Sequence, residues 1–352
     1  MSGSAALQHI GFALIVAFAS VLLTRFMITL NIRDIPNERS SHATVTPKSG
    51  GIAIAVSFSL GIAVLYAIAD AVRLPEAQFL VFVLIVFGLL ISSLVDDLYD
   101  ISPLQKFVAQ FVAATLFASF VASIHKVWIP FLGTIELGAL GVVLTLLWII
   151  FFMNAFNFMD GINGIAGGAA MISGAFLALI AFMADAPFVY LCSVVLVAAT
   201  AGFFYYNFPG GHIFMGDTGS QFLGFAFASL AVLASTDGFG GVSIYVVPIL
   251  FLPFVFDVVY TLARRAYRGR DLTQAHKEHL YQLLHQSGWS HAQVSLLYFG
   301  YFGLCGFAGL AIQAASPAMR VVMVAGTVLA MLGHARFVHQ TWRRANTSQK
   351  GL

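Results

Sequence analysis

The chain has 352 residues, of which 60% are hydrophobic and 9% charged, where a soluble domain carries about 25% charged residues. That composition, a mean hydropathy of +0.91 and 34 Phe exclude a water-soluble globule, a disordered chain and a disulfide scaffold. A net charge of +2 is too small for nucleic-acid binding, and Cys192 and Cys305 stand alone in apolar runs, without a metal-clip partner.

A helix needs about 20 apolar residues to cross roughly 30 Å of hydrocarbon. Eleven segments qualify, at about 10–30, 50–69, 76–95, 104–124, 139–156, 165–184, 186–206, 218–236, 242–263, 291–313 and 318–338. Backbone polar groups must be satisfied internally in lipid, so these are helices. The expectation is an all-α, polytopic integral membrane protein with 10–11 spans, forming one domain over residues 1–352. Residues 1–9 carry no Lys or Arg, so the first span lacks the basic start of a cleaved signal peptide. The link at 125–138, with Trp128, Pro130 and Glu136, suits a small hairpin. If the N-terminus is outside, fourteen of the 17 Lys and Arg lie inside, and only Arg73, Lys126 and Arg320 lie outside. The C-terminus is then cytoplasmic.

The unusual polar residues gather in inside loops at about 31–49, 96–106, 154–164, 207–220 and 264–290. Asp96, Asp97 and Asp100 close the third span. Three carboxylates at a membrane surface stay ionised only when a metal, Lys or Arg answers them; the bland alternative is a solvated helix end. Lys106 opens the next span, from which it can snorkel to the interface and meet a phosphate. Asn154, Asn157 and Asp160 recur every three residues along one side of a helix end. Such a row suits Mg²⁺ or a nucleobase edge, or simply a polar cap. Asn163 follows, between Gly161 and Gly164, which permit a tight turn.

Asp217 stands at a helix start, where metal binding and N-capping both fit. Phe214 suits either the core or stacking on a base, and His212 reads as a loop histidine. In the longest inside loop Arg264, Arg265, Arg268 and Arg270 follow the positive-inside bias. His276 and His279 are at i, i+3, which lets them face one ligand, with hydrogen bonds to phosphate or sugar hydroxyls. The spacing is not that of HExxH zinc proteases. His285 and His291 read as structural. Lys48, beside Gly50 and Gly51 at a helix start, can hold an anion. Asp257 lies inside the ninth span, either as a low-lying site residue, the favoured reading, or as a buried, satisfied carboxylate. No GxxxxGK[ST], GxGxxG or GxSxG motif is present, which removes the usual machinery of ATP-driven pumps, dinucleotide enzymes and serine hydrolases.

In order, TPKSGG, DDLYD, NAFNFMDGING, FMGDTGS and HKEH, within residues 31–285, resemble the motifs of the polyprenyl-phosphate N-acetylhexosamine-1-phosphate transferases. This group, glycosyltransferase family 4, includes phospho-MurNAc-pentapeptide translocases and initiators of O-antigen synthesis. The resemblance implies attack of a lipid phosphate on the β-phosphorus of a UDP-N-acetylhexosamine, with UMP leaving, at the cytoplasmic face of a bacterial inner membrane. It implies Mg²⁺, for which Mn²⁺ can substitute, with Asp217 as principal ligand and Asn157 as a second. Asn163 and Phe214 match uracil-binding residues, and Asp160 and Asn154 are assigned to the same nucleotide site. Lys106 matches a pyrophosphate-contacting lysine. Asp96 and Asp97 match an acidic pair near the lipid phosphate, acting as base or as positioning groups. Lys48, His276 and His279 are assigned to phosphate and sugar. The implied partners are the UDP-sugar, undecaprenyl phosphate, membrane lipids and a second copy of the chain in a homodimer.

Two departures bear on the sugar: HKEH replaces a tighter His-x-His-His, and Asn163 gives GIN where GID is commoner. The HKEH–YQ form is most similar to the O-antigen-initiating branch of lipopolysaccharide synthesis. Two rival readings are a transporter or lipid flippase, and a noncatalytic scaffold. A transporter predicts charges near the midplane and broken helices in corresponding halves; a scaffold leaves the ordered Asp/Asn/Gly clusters unexplained.

Overall fold

The long helix near the middle of the chain, α8 (Gly216–Ser235), is its buried axis: every residue from Thr218 to Ala234 is buried. A helix apolar on all sides belongs in a core. In the computed structural model α3 (Glu76–Tyr99) and α5 (Ala139–Met159) flank it, and α2 (Gly50–Ile68) crosses its start. Around these stand α1 (Gly3–Leu30), α4 (Pro103–Phe120), α6 (Ile165–Met183) and α7 (Pro187–Asn207). The remaining helices are α9 (Val246–Leu250), α10 (Leu252–Tyr267), α11 (Leu280–Gln286), α12 (His291–Ala314) and α13 (Pro317–Lys350). The structure describes residues 3–30, 32–34, 46–69, 74–99, 101–236, 240–272, 274 and 276–350. Asp100 and Arg73 lie outside the described residues.

The chain is all-α and polytopic. Nine of the described helices are long and apolar enough to cross a membrane: α1, α2, α3, α5, α6, α7, α8, α12 and α13. Two expected spans differ. Helix α4 has 18 residues and carries Gln105, Lys106 and Gln110. The expected span at 242–263 is two helices, α9 and α10, with Phe251 between them. Pro253 explains the break, because it donates no N–H and its ring crowds the preceding turn. The carbonyl of Leu250 at this break accepts a 2.9 Å bond from the Ser173 hydroxyl, so it is not left bare in the bundle. The rings of Phe152, Phe156, Phe227, Phe254 and Phe302 surround Phe251 or its neighbours, with centroids 4.6–6.2 Å apart.

The outer faces of α1 and α4 expose Leu14, Phe18, Phe107 and Phe111, which suits lipid rather than water. The expected hairpin is present. Strands β3 (Lys126–Ile129) and β4 (Gly133–Glu136) pair antiparallel, and Tyr245 Oη–H donates to the Trp128 carbonyl. Two further short strands, β1 (Arg33–Asp34) and β2 (Thr46–Pro47), pair just before α2.

The start of α2 is joined to the start of α8. Phe214 N–H donates to Pro47 O at 2.7 Å, while Gly50 and Gly51 N–H donate to the Phe214 and Met215 carbonyls at 3.0 and 2.9 Å. Two orphan donors of α2 are thereby satisfied by a distant loop. The approach demands glycine: a Cβ on Gly51 would sit 2.1 Å from Gly219 N. Gly51→Ala should therefore destabilise the protein by about 1–3 kcal/mol. Gly11→Ala, where a Cβ meets nothing within 4 Å, should be neutral or slightly stabilising. Thermal unfolding in detergent checks both; equal melting points would contradict the close-approach argument.

Candidate active site

Four helix ends converge on one cluster. Helix α3 ends with Asp96 and Asp97. Helix α4 begins after Ser102, whose hydroxyl caps Gln105 N–H at 3.3 Å while Gln105 Oε1 accepts from Ser102 N–H at 2.9 Å. This capping box and Pro103 fix the first turn that carries Lys106. Lys106 Nζ lies 2.6 Å from Asp96 Oδ2 and 2.9 Å from Asp217 Oδ2. Asn157, at the end of α5, donates from Nδ2 to Asp217 Oδ1 at 2.9 Å and to Ser220 Oγ at 2.8 Å.

Asp217 does not cap its own helix. The cap comes from Asp97, which accepts from the Asp217 and Thr218 N–H groups at 3.2 Å each and from the Thr218 hydroxyl at 2.7 Å. A carboxylate there also meets the positive end of the α8 dipole. Asp96 turns the other way, accepting from Ile101 N–H at 3.2 Å. The charges of Asp96, Asp97 and Asp217 thus outnumber that of Lys106. Asp160 adds a further acid at the cap of α5, and its carboxylate makes no hydrogen bond or ion pair among the described residues. Burial first, then the charges of Asp217 and Asp97, raise its pKa well above the usual carboxylate range.

Among the described residues no three His, Cys, Asp or Glu side chains form a ready-made metal cage. Mg²⁺ seldom needs one, since it takes one or two carboxylates and fills its octahedron with water and phosphate oxygens. Asp217 and Asn157 fit that pattern, because the Asn157 amide can turn its oxygen where its nitrogen now points. The negative excess and the unanswered Asp160 suit a cation.

The other sequence-predicted residues fall in four places. Asn163 and Phe214 lie on adjoining loops: Asn163 Nδ2–H donates to Pro209 O at 3.4 Å and Asn163 O accepts from Ser295 Oγ at 2.7 Å. Gly164, with φ of +86°, lets the chain turn there, and its N–H donates to Asn207 Oδ1 at 2.7 Å. The Lys48 carbonyl abuts Gly216, which brings the 46–51 stretch to the edge of the cluster. Asn154 is not brought to the cluster; it bonds Gln110 deeper between the helices.

His276 and His279 occupy the loop before α11, with ring centroids 5.0 Å apart, and His279 lies 6.0 Å from the ring of Phe158. Asp257 is fully buried and fully satisfied. It accepts from His279 Nδ1 at 3.1 Å, Leu280 N–H at 2.9 Å, Tyr281 N–H at 3.3 Å, the Tyr298 hydroxyl at 3.0 Å and the Thr261 hydroxyl at 3.1 Å. It thereby anchors His279 and the start of α11. Tyr281 Oη–H donates to Phe158 O at 3.0 Å, tying α11 to the end of α5 beside Asn157. Glu278 accepts from Arg264, Arg265 and Arg270 at 2.8–2.9 Å, which holds its pKa below the usual range despite burial.

Sequence reasoning passed over Thr218, Ser220, Gln110, Gln221 and the anchoring role of Glu278. The signals were present: hydroxyls follow Asp217 by one and three residues, and a glutamine follows both Lys106 and Asp217 by four residues.

Residues 79–235, from α3 to the end of α8, match glycosyl transferase family 4. The chain is 32% identical over 289 residues to the probable undecaprenyl-phosphate N-acetylglucosaminyl 1-phosphate transferase of Bacillus subtilis, covering 79% of each chain. It is 29% identical over 367 residues to the decaprenyl-phosphate N-acetylglucosaminephosphotransferase of Mycobacterium leprae, covering 95% of this chain and 90% of the relative. It is 26% identical over 307 residues to the phospho-N-acetylmuramoyl-pentapeptide-transferase of Staphylococcus epidermidis, covering 82% of this chain and 91% of the relative.

His276 gives the site a pH signature. Among the described residues its Nδ1 is buried without a partner, and burial first, then neighbouring His279 and arginines, lower its pKa from 6.5 to about 4. A base with a lower pKa folded than unfolded takes up a proton on unfolding. Its stability contribution is complete above 6.5 and is lost as pH falls toward about 4. His276→Gln should flatten the fall in melting temperature across that window; an unchanged slope would reject the assignment.

Proposed function

The chain belongs to glycosyl transferase family 4, and from that premise we propose that it transfers an N-acetylhexosamine 1-phosphate from a UDP-sugar to polyprenyl phosphate. The observation that carries this reading is the meeting of Asp96, Asp97, Lys106, Asn157 and Asp217 at one end of an apolar helix bundle. One substrate is an isoprenoid held in the bilayer and the other a water-soluble nucleotide sugar. Their reaction needs a charged site at the boundary of the two phases, with apolar helix faces beside it. The positive-inside bias makes that end cytoplasmic, with the N-terminus outside.

An oxygen of the lipid phosphate attacks the β-phosphorus of the UDP-sugar. A new P–O bond forms to the lipid, the bond from the β-phosphorus to the bridging oxygen breaks, and UMP leaves with the electron pair. A phosphate monoester has a second pKa of about 6, so the attacking oxygen is largely ionised at neutral pH. This favours orienting roles for the acidic pair: Asp96 holds Lys106 and Asp97 holds the start of α8. Lys106 offsets the repulsion between the two anions and the charge that develops on UMP. Asp217 and Asn157 would hold Mg²⁺, which when bound supplies Lewis-acid screening of the diphosphate. Phe214 and Asn163 take the uracil, Lys48 a phosphate, and the His276–His279 loop the sugar. The lipid-linked diphospho-sugar then starts a cell-envelope polysaccharide, and the HKEH–YQ form favours O-antigen.

The transporter reading calls for broken helices in corresponding halves. Among the described residues the break at Phe251 has no counterpart in α1–α6, which are continuous.

The test offers purified protein a panel of radiolabelled UDP-N-acetylhexosamines with undecaprenyl phosphate. The expected result is UMP release matched by labelled lipid, independent of ATP and abolished by excess chelator; movement of lipid without UMP would overturn the reading. Asp217→Ala should lower turnover by about 100- to 1000-fold or more in protein that still folds; near-wild-type turnover would remove it from the site. Phe214→Ala should weaken UDP binding by about 1–3 kcal/mol through lost stacking on the base. Calorimetry that finds unchanged affinity would refute that role.

A further inference from the structure

One helical turn beneath the charged cluster lies a second polar layer. On α4, Gln110 follows Lys106 by four residues. On α5, Asn154 precedes Asn157 by three. On α8, Gln221 follows Asp217 by four. Such spacings keep each pair on one face of its helix, and the run of each helix puts the deeper member about 4.5–6 Å further in. The three deep residues are carboxamides, and they bond one another. Gln110 Nε2 donates to Gln221 Oε1 at 2.9 Å and to Asn154 Oδ1 at 3.3 Å, and Asn154 Nδ2 returns a bond to Gln110 Oε1 at 2.8 Å and also donates to Ile150 O at 2.8 Å. Gln110 and Gln221 are only 4% and 7% exposed.

We propose that Gln110, Asn154 and Gln221 are positioning residues, a carboxamide layer that sets the height and rotation of α4, α5 and α8 so that Lys106 and Asn157 both reach Asp217. The inference rests on the proposed transfer only for its effect on turnover. Two buried primary amides and a half-buried third cost free energy unless each is bonded, and Leu would fill the same space without that risk. Hydrogen-bonded amides do what apolar contacts do not: they fix one register, because sliding or turning any helix leaves donors unpaired. The need is greatest at α4, which packs on α3 and α5 and reaches α8 through the Lys106–Asp217 and Gln110–Gln221 bonds. Both layers also border one cleft between α3 and α4, lined by Leu89, Asp96, Lys106, Gln110 and Gln221 among others. In that cleft Gln110 and Gln221 form part of the wall beside Lys106, so a shift of the layer moves the ammonium.

The test replaces the whole layer at once, with Gln110→Leu, Asn154→Leu and Gln221→Leu in one chain, which leaves no amide of the layer unpaired. Spin labels on lipid-facing Leu104→Cys of α4 and Leu147→Cys of α5 report the helix register without reference to activity. The expected result is a shifted or broadened distance distribution and a turnover about 100-fold lower. A narrow, unshifted distribution overturns the inference whatever the turnover does. If the unaltered protein releases no UMP, the proposed transfer falls, and the distance measurement still decides the role of the layer. Should the triple variant not purify as a single species, Gln110→Asn, one methylene shorter, is read in the same way.

Discussion

A single ammonium group bridges two of the helix ends that meet at one end of this bundle. Lys106 lies within salt-bridge distance of Asp96 and Asp217, two acids on helices that would otherwise repel each other. Asp97 answers a different demand, filling the open donors at the start of α8. Adjacent acids at the end of one helix therefore do separate work, because successive positions on a helix point in different directions. The arrangement still carries more negative than positive charge, and a bound anion would worsen nothing only if a cation came with it.

The apolar part of the chain makes such a cluster affordable. Helix α8 is wrapped on all sides, so its first turn is presented from a rigid post. Helix α2 is locked to the same turn by backbone bonds and a glycine-to-glycine approach. Behind the cluster, Asp257 gathers five donors from three helices and the loop, and Glu278 gathers three arginines, so the segment from 264 to 290 is held from both sides. Charges that a bilayer interior would reject are each met by a partner or kept at the helix ends.

Much of this was legible in the sequence. The long apolar runs, the hairpin at 125–138 and the gathering of Asp, Asn and His in a few loops follow from composition and spacing. Convergence of Asp96, Lys106, Asn157 and Asp217 is what the family resemblance implied. What spacing alone could not disclose was partnership. Asn154, Asn157 and Asp160 share one helix side, yet Asn154 turns to Gln110, Asn157 to Asp217, and Asp160 to neither, because the neighbours come from helices distant in the chain. The capping of α8 by Asp97 rather than Asp217 has the same origin. The break at Phe251 could have been read from Pro253, but hydropathy averaged over the segment conceals it.

The separation of these partners along the chain has a consequence for biogenesis. Lys106 and Asp217 are 111 residues apart, and Asp97 and Thr218 are 121 apart. A nascent chain threading into the bilayer helix by helix therefore delivers the acids of α3 and the lysine of α4 long before α8 emerges from the ribosome. Until then those groups must stay hydrated at the membrane surface, and the buried post they clasp does not yet exist. Insertion of α8, amid helices already placed, is the step that turns a set of separate hairpins into a working centre.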